Sequence, residues 1–222
     1  MGAMEPTHSF TGAALACRRG GRLVFAGLDF ALAAGQALVL RGPNGSGKSS
    51  LLRLMAGLIR AEAGVLAWDG QDALDDRETH AGRLHFVGHL DGTKLALTVA
   101  ENIQFWARLR GMTLDMAALT TIIEPLRLMR LAAVPARLLS AGQRRRLALT
   151  RLIAAPAPLW LLDEPSVGLD DESLAAFETL LAAHRAGGGM VVAATHTAIA
   201  LPEARELRLD AFARGADLDL IA

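Results

Sequence analysis

Hydrophobic positions along this chain follow two rhythms, and their alternation predicts its architecture. Ala13–Cys17 and Arg22–Phe30 carry a short β-type pattern, and Ala37–Arg41 is an apolar run that leads into a glycine-rich turn. Lys48–Ile59 follows with leucines at helical spacing, so a strand, a tight loop and a helix are predicted in succession. Gly64–Trp68 and Leu84–Val87 again read as strands. Between Val99 and Arg130 the period becomes helical, with one helix predicted over Val99–Arg110 and a second over Leu114–Met129, separated at Gly111. Leu159–Leu162 and Met190–Thr195 are continuous apolar runs, the pattern of strands covered on both faces. Between them a helix is predicted over Asp171–Arg185, followed by Gly187–Gly189. Strands alternating with helices around a central helical stretch predict an α/β chain with a mostly parallel sheet and an inserted helical lobe.

Composition narrows the function classes. The chain has 222 residues, 52% hydrophobic, enough for a full core. Its 23 basic and 23 acidic residues cancel, so no field of one sign draws it to nucleic acid or to anionic lipid, and its partners must be read from sites. A single cysteine, Cys17, excludes an internal disulfide framework and reads as a small core residue. The apolar stretch Leu152–Leu162 is broken by Pro156 and Pro158, and the one at Met190 ends at Thr195 and His196, so neither spans a bilayer. Met1–Phe10 lacks a basic segment followed by an apolar one, so export is not expected.

Four segments carry candidate chemistry. Gly42-Pro43-Asn44-Gly45-Ser46-Gly47-Lys48-Ser49, with Ser50 next, fits the G-x-x-x-x-G-K-[ST] loop and stands between a predicted strand and a predicted helix. Glycines let backbone N–H groups turn inward around phosphate oxygens, and the helix start adds its positive dipole end. Lys48 would reach the β and γ phosphates, and the Ser49 hydroxyl would ligate Mg²⁺. Lys48 and Lys94 are the only lysines among many arginines, so this chain puts a compact ammonium where a planar fork would crowd the loop. Leu161-Leu162-Asp163-Glu164 ends a buried strand in two carboxylates: Asp163 can hold the Mg²⁺ shell, and Glu164 can polarise water as a general base. Leu139-Ser140-Ala141-Gly142-Gln143 opens a further helix, as a second anion-receiving helix end or simply as a cap. His196 closes the strand from Met190, where an imidazole can bond a γ-phosphate or merely end the strand.

In this order, with Ser166-Val167-Gly168-Leu169-Asp170 before the histidine, the chain resembles the ABC ATPases over almost its whole length. The resemblance implies a single domain over 1–222. Its nucleotide-binding core would span 1–89 and 156–222, with an antiparallel β part at the N-terminal side, and its helical signature lobe 90–155. It also implies a head-to-tail homodimer in which Ser140, Gly142 and Gln143 of one copy close on ATP held by the other. The stretch ending in Asp170 would bridge the two sites, and His196 would sense γ-phosphate. A narrower resemblance rests on Val87-Gly88-His89, Lys94, Leu97-Thr98-Val99-Ala100-Glu101-Asn102, Leu139–Arg151, Trp160–Pro165 and the glycine run. These are similar to the ATP-binding subunits of the cytochrome c maturation haem exporter. That implies ATP hydrolysis with Mg²⁺ on the cytoplasmic face of the inner membrane, coupled to integral membrane permease subunits; the ATPase subunit of another ABC exporter is the alternative, because no residue in these motifs defines a cargo.

Two positions depart from the family pattern. His89 stands where these ATPases usually carry glutamine, so its imidazole is a candidate for the metal shell through a metal-bound water. The chain has no tyrosine, and Arg18 or Arg19 falls where an aromatic usually stacks on adenine, a task a guanidinium plane can perform. A GTPase-type switch is disfavoured, because neither lysine is preceded by asparagine and no N-K-x-D string occurs. A soluble ABC ATPase acting on DNA or ribosomes is disfavoured too, since there is room for neither a second motor half nor a long coiled-coil insert.

Overall fold

The structure, a computed structural model, describes residues 8–213. Residues 1–7, and with them most of the reading of Met1–Phe10, lie outside the described residues, as do residues 214–222. The chain opens with β1 (Ser9–Arg19), β2 (Arg22–Ala33), β3 (Ala37–Arg41), α1 (Lys48–Met55), β4 (Ala63–Trp68), β5 (Gln71–Asp72), α2 (Arg77–Gly82) and β6 (Leu84–Val87). Helices α3 (Val99–Arg108), α4 (Met116–Ile123) and α5 (Ala141–Ala154) follow, with two short 3₁₀ turns between α4 and α5. The chain then returns through β7 (Leu159–Asp163), α6 (Asp171–Ala186), β8 (Met190–Ala194), β9 (Arg205–Arg208) and α7 (Asp210–Ala213).

Two sheets result. A four-stranded antiparallel sheet has the order β2-β1-β4-β5, and a five-stranded sheet, parallel at every pairing, has the order β6-β7-β8-β3-β9. The doubly apolar runs sit at the centre of the parallel sheet, as expected of strands covered twice. In β7, Leu159 and Leu161 face one core with Phe10, Phe25, Leu51 and Trp68, while Trp160 and Leu162 face a second core with Ile103, Leu149 and Phe177. The first core lies on the side of α1 and the antiparallel sheet, the second on the side of the helices inserted between β6 and β7. Cys17 is fully buried and free, and burial pushes its thiol up.

Several boundaries differ from the sequence reading, each for a local reason. Helix α1 stops at Met55 rather than Ile59 because Gly57 adopts φ 70°, the left-handed turn that closes a helix. The helix expected over Leu114–Met129 begins only after Asp115, whose carboxylate accepts from the Ala118 N–H at 2.8 Å, and ends at Ile123: Glu124 still has helical dihedrals and donates to the Thr120 carbonyl, but Pro125 has no N–H to carry the ladder further. β5, α2, β9 and α7 were not expected. Each is short, and β9 is a charged edge strand (Arg-Glu-Leu-Arg) with no apolar rhythm to announce it. Thr98 and Glu101 form a reciprocal capping box at the start of α3, and Asn102, 1% exposed, ties down the preceding loop through the backbone of Lys94, Leu97 and Thr98.

Candidate active site

The phosphate loop leaves β3, which lies between β8 and the edge strand β9 in the parallel sheet, and runs directly into α1. Arg41 anchors its start, donating to the Thr195 carbonyl at 3.0 Å and to Glu206 at 3.1 Å, so the loop is braced by the strands on both sides. Gly47 stands at the N-terminus of α1 with φ 100°, and a Cβ there would come within 2.6 Å of Val24. No side chain caps this helix start and its first turn carries no acidic residue, which leaves its N–H groups available to an anion. Lys48 is buried along its stem, and its ammonium donates to the carbonyls of Gly42 at 2.7 Å and Pro43 at 2.9 Å, which holds it over the loop.

Asp163 and Glu164 stand at the tip of β7. Asp163 is 5% exposed; Glu164 turns into the left-handed region with φ 48°, a conformation that costs a non-glycine residue on the order of 1–3 kcal/mol and survives only where its surroundings hold it. Its N–H donates to the Ala194 carbonyl at 2.8 Å, and its carboxylate accepts from the His196 N–H at 3.2 Å. The His196 ring nitrogen Nε2 lies 3.7 Å from the other carboxylate oxygen, so acid and imidazole face each other across the β7–β8 gap.

These elements line one cleft of about 430 Å³. Asn44, Gly45, Gly47, Lys48, Ser49 and Ser50 form its floor, and Asp163, Glu164 and His196 one wall. His89, exposed after β6, and Arg19, at the end of β1, complete the rim. Of the two arginines considered for stacking on a base, Arg18 is engaged by Glu62 at 3.5 Å and by the Gly21 carbonyl at 3.0 Å, while Arg19 lines the cleft. Gly42, Pro43 and Ser46 shape the loop from behind. Val24 also lines the cleft, and no sequence signal marked it.

Ser140, Gly142 and Gln143 are not part of that cleft. Ser140 caps α5 by accepting from the Gln143 N–H at 3.2 Å, while the Gln143 side chain accepts from the Ser140 N–H at 2.8 Å, a capping box that leaves the serine hydroxyl proton free. Gly142 packs so closely on the Gly168 carbonyl that a Cβ would overlap it, so the signature turn and the Ser166–Asp170 stretch touch within one chain. Asp170 caps α6 through the Ser173 N–H at 2.9 Å, and hydrogen bonding from Ser173 holds its carboxyl below the usual range.

Residues 25–167 match the ABC transporter family. The chain is 54% identical over 212 residues to the cytochrome c biogenesis ATP-binding export protein CcmA of Paramagnetospirillum magneticum, covering 95% of this chain and 98% of that protein. This chain belongs to the ABC transporter family, in its CcmA branch. CcmA of Rhodospirillum rubrum is 55% identical, over 94% of this chain and 89% of its own length. Among solved structures, an ABC transporter ATP-binding protein from Pyrococcus furiosus superposes with a TM-score of 0.80 at 18% identity, over 92% of this chain and 99% of that one. The ATP-binding subunit of another ABC transporter gives 0.76 at 23% identity, over 84% and 79%. The expected ABC ATPase fold, and the assignment to the transport-coupled ATPases of the cytochrome c biogenesis type, are borne out. Among the described residues of this CcmA-type chain, no helix is long and apolar enough to cross a membrane.

Proposed function

We propose that the chain is the ATP-hydrolysing motor of a haem exporter for cytochrome c maturation. In this reading it works as a head-to-tail homodimer on the cytoplasmic face of the inner membrane, coupled to separate membrane-spanning permease subunits. The observation that carries the reading is the division of the site. Phosphate loop, carboxylates and histidines share one cleft, while the Ser140 turn opens elsewhere on the same chain. A half-site of this kind is completed by the Ser140–Gln143 helix start of a second copy.

The residues divide the labour. The loop amides and the α1 N-terminus receive the phosphates, and the Lys48 ammonium exchanges its carbonyl partners for β and γ oxygens. Glu164 accepts the proton of the attacking water, and His196, beside it, donates to a γ-phosphate oxygen. Arg19 offers a guanidinium plane to the base. The Ser49 hydroxyl and the Asp163 carboxylate are hard oxygen donors that suit Mg²⁺, whereas the His89 nitrogen suits a metal-bound water better than the ion itself. Mg²⁺ bound with ATP neutralises charge on the β and γ oxygens.

Glu164→Gln tests this reading. The variant retains ATP, forms a dimer in Mg-ATP by analytical ultracentrifugation, and releases phosphate roughly a hundredfold or more slowly. Unchanged phosphate release removes Glu164 from its role. Capture of the native partners from membranes is expected to bring down permease subunits, and recovery of ribosomal or DNA-repair proteins alone overturns the transporter assignment.

A further inference from the structure

Helix α5 carries three successive arginines, and only the middle one is buried: Arg145 is 6% exposed. A guanidinium has five N–H donors, and here each has its own acceptor. Nε donates to the Pro165 carbonyl at 3.3 Å. Nη2 donates to the carbonyls of Asp163 at 2.7 Å and Glu164 at 2.8 Å. Nη1 donates to the Gly88 carbonyl at 2.9 Å and to the Asp91 carboxylate at 3.0 Å. One planar fork therefore joins the helix that starts at Ser140, the strand tip that bears Asp163 and Glu164, and the loop that carries His89.

The geometry points to Arg145 as a positioning residue for hydrolysis. Glu164 is in the left-handed conformation, held by its own N–H on Ala194 and by its carbonyl, which accepts from Arg145 at 2.8 Å and, more weakly, from the Val167 N–H at 3.3 Å. Arg145 thereby sets the direction of the Glu164 carboxylate toward His196. Through Gly88 and Asp91 the same guanidinium transmits the position of the His89 loop to that carboxylate. Lysine cannot replace it, because a single ammonium has three donors and no fixed plane to span acceptors on three segments. The inference rests on the reading of Glu164 as the base.

Arg145→Lys in the full chain, assayed with Mg-ATP, separates positioning from mere support. We expect kcat to fall about tenfold or more while KM and the Kd for Mg-ATP stay within about threefold, because the phosphate loop is untouched. Amide exchange at Glu164 and His196, followed by mass spectrometry without nucleotide, should quicken. An arginine that only supports the fold would lower the melting temperature and leave kcat unchanged wherever both proteins are folded, and that result overturns the inference. Should Arg145→Lys fail to fold, Asp91→Ala leaves the strand-tip contacts in place and is expected to lower kcat about threefold at constant Kd. Unchanged kcat in that variant overturns the link to the loop. A wild-type chain that neither binds nor hydrolyses ATP overturns the ATPase reading instead, and amide exchange still reports the clamp.

Discussion

The two ends of the parallel sheet make opposite use of the same strands. At the carboxyl ends of β3, β7 and β8 lie Lys48, Asp163, Glu164 and His196 around a cleft of about 430 Å³. At the amino ends of β7 and β8 lies a larger, mainly apolar cavity of about 840 Å³, lined by Pro156, Pro158, Trp160, His184 and the glycines 187–189. There the His184 ring stacks flat on Trp160, with centroids 3.8 Å apart and planes 6° from parallel. The larger cavity is not the one on which the polar groups converge, and the reason lies in the topology. In a parallel strand-to-helix unit the helix after each strand begins at the strand's carboxyl end, so free N–H groups and positive dipole ends collect there. The ends of α5 and α6 deliver carbonyls to the opposite edge. An anion such as a triphosphate therefore has one favourable end of the sheet, whatever the relative size of the cavities.

The largest expected effect breaks the carboxyl-end cleft alone. In the proposed mechanism Lys48→Ala removes the charge that would face the phosphates, and it is expected to abolish retention of Mg-ATP in equilibrium dialysis, with turnover lost by about a hundredfold or more. Circular dichroism should show a folded chain. Retained affinity and turnover would mean that the chemistry does not use this end.

Acid is expected to strike the other half of the sheet. Burial pushes His85 and His184 down to about 4 from an ordinary 6.5, and burial lowers His80 as well. Trp68 donates to His80 Nδ1 at 2.9 Å, so Nε2 carries the proton and donates to the Met55 carbonyl at 2.9 Å, which fixes a neutral ring. Between pH 6.5 and about 4 the unfolded chain binds protons that the folded chain refuses, so the stabilisation is complete above 6.5 and drains away as pH falls toward 4. Urea midpoints measured across this window should fall by an amount worth a few kcal/mol. His85→Gln should flatten the slope. A pH-independent midpoint would show that these rings protonate freely in the fold.

The smallest effect sharpens the contrast. At Gly189 a Cβ would overlap the His184 ring. Gly189→Ala should displace that ring from Trp160 and cost about 1–3 kcal/mol of stability, with kcat for ATP within about twofold of wild type. A loss of turnover larger than the loss of stability would show that the two ends are coupled.

Much of this was legible in the residues themselves. Ala37–Arg41 and Leu84–Val87 coincide with β3 and β6, and the runs at Leu159 and Met190 lie in β7 and β8 within a residue, because a strand buried on both faces is filled mainly by apolar side chains. The phosphate loop was legible because its glycines and its lysine serve backbone geometry that few other residues allow. Arg145 was not legible. Arg144 and Arg146 offer the same chemistry, and only the phase of α5 against the β7 tip decides which of the three is enclosed. The short edge elements were equally silent, since β9 is charged throughout but for Leu207.

By itself the sequence determined the order of the longer, core-forming elements, the phosphate loop and the inventory of acids and bases, because these depend on local periodicity and on the chemistry of single side chains. Tertiary structure alone decided that Lys48, Glu164, His196, His89 and Arg19 share a cleft from which the Ser140 turn of the same chain is absent, and that one guanidinium holds the strand tip. Those relations join residues far apart in the chain, and they are set by how the sheet stacks its strands and how α5 crosses their ends.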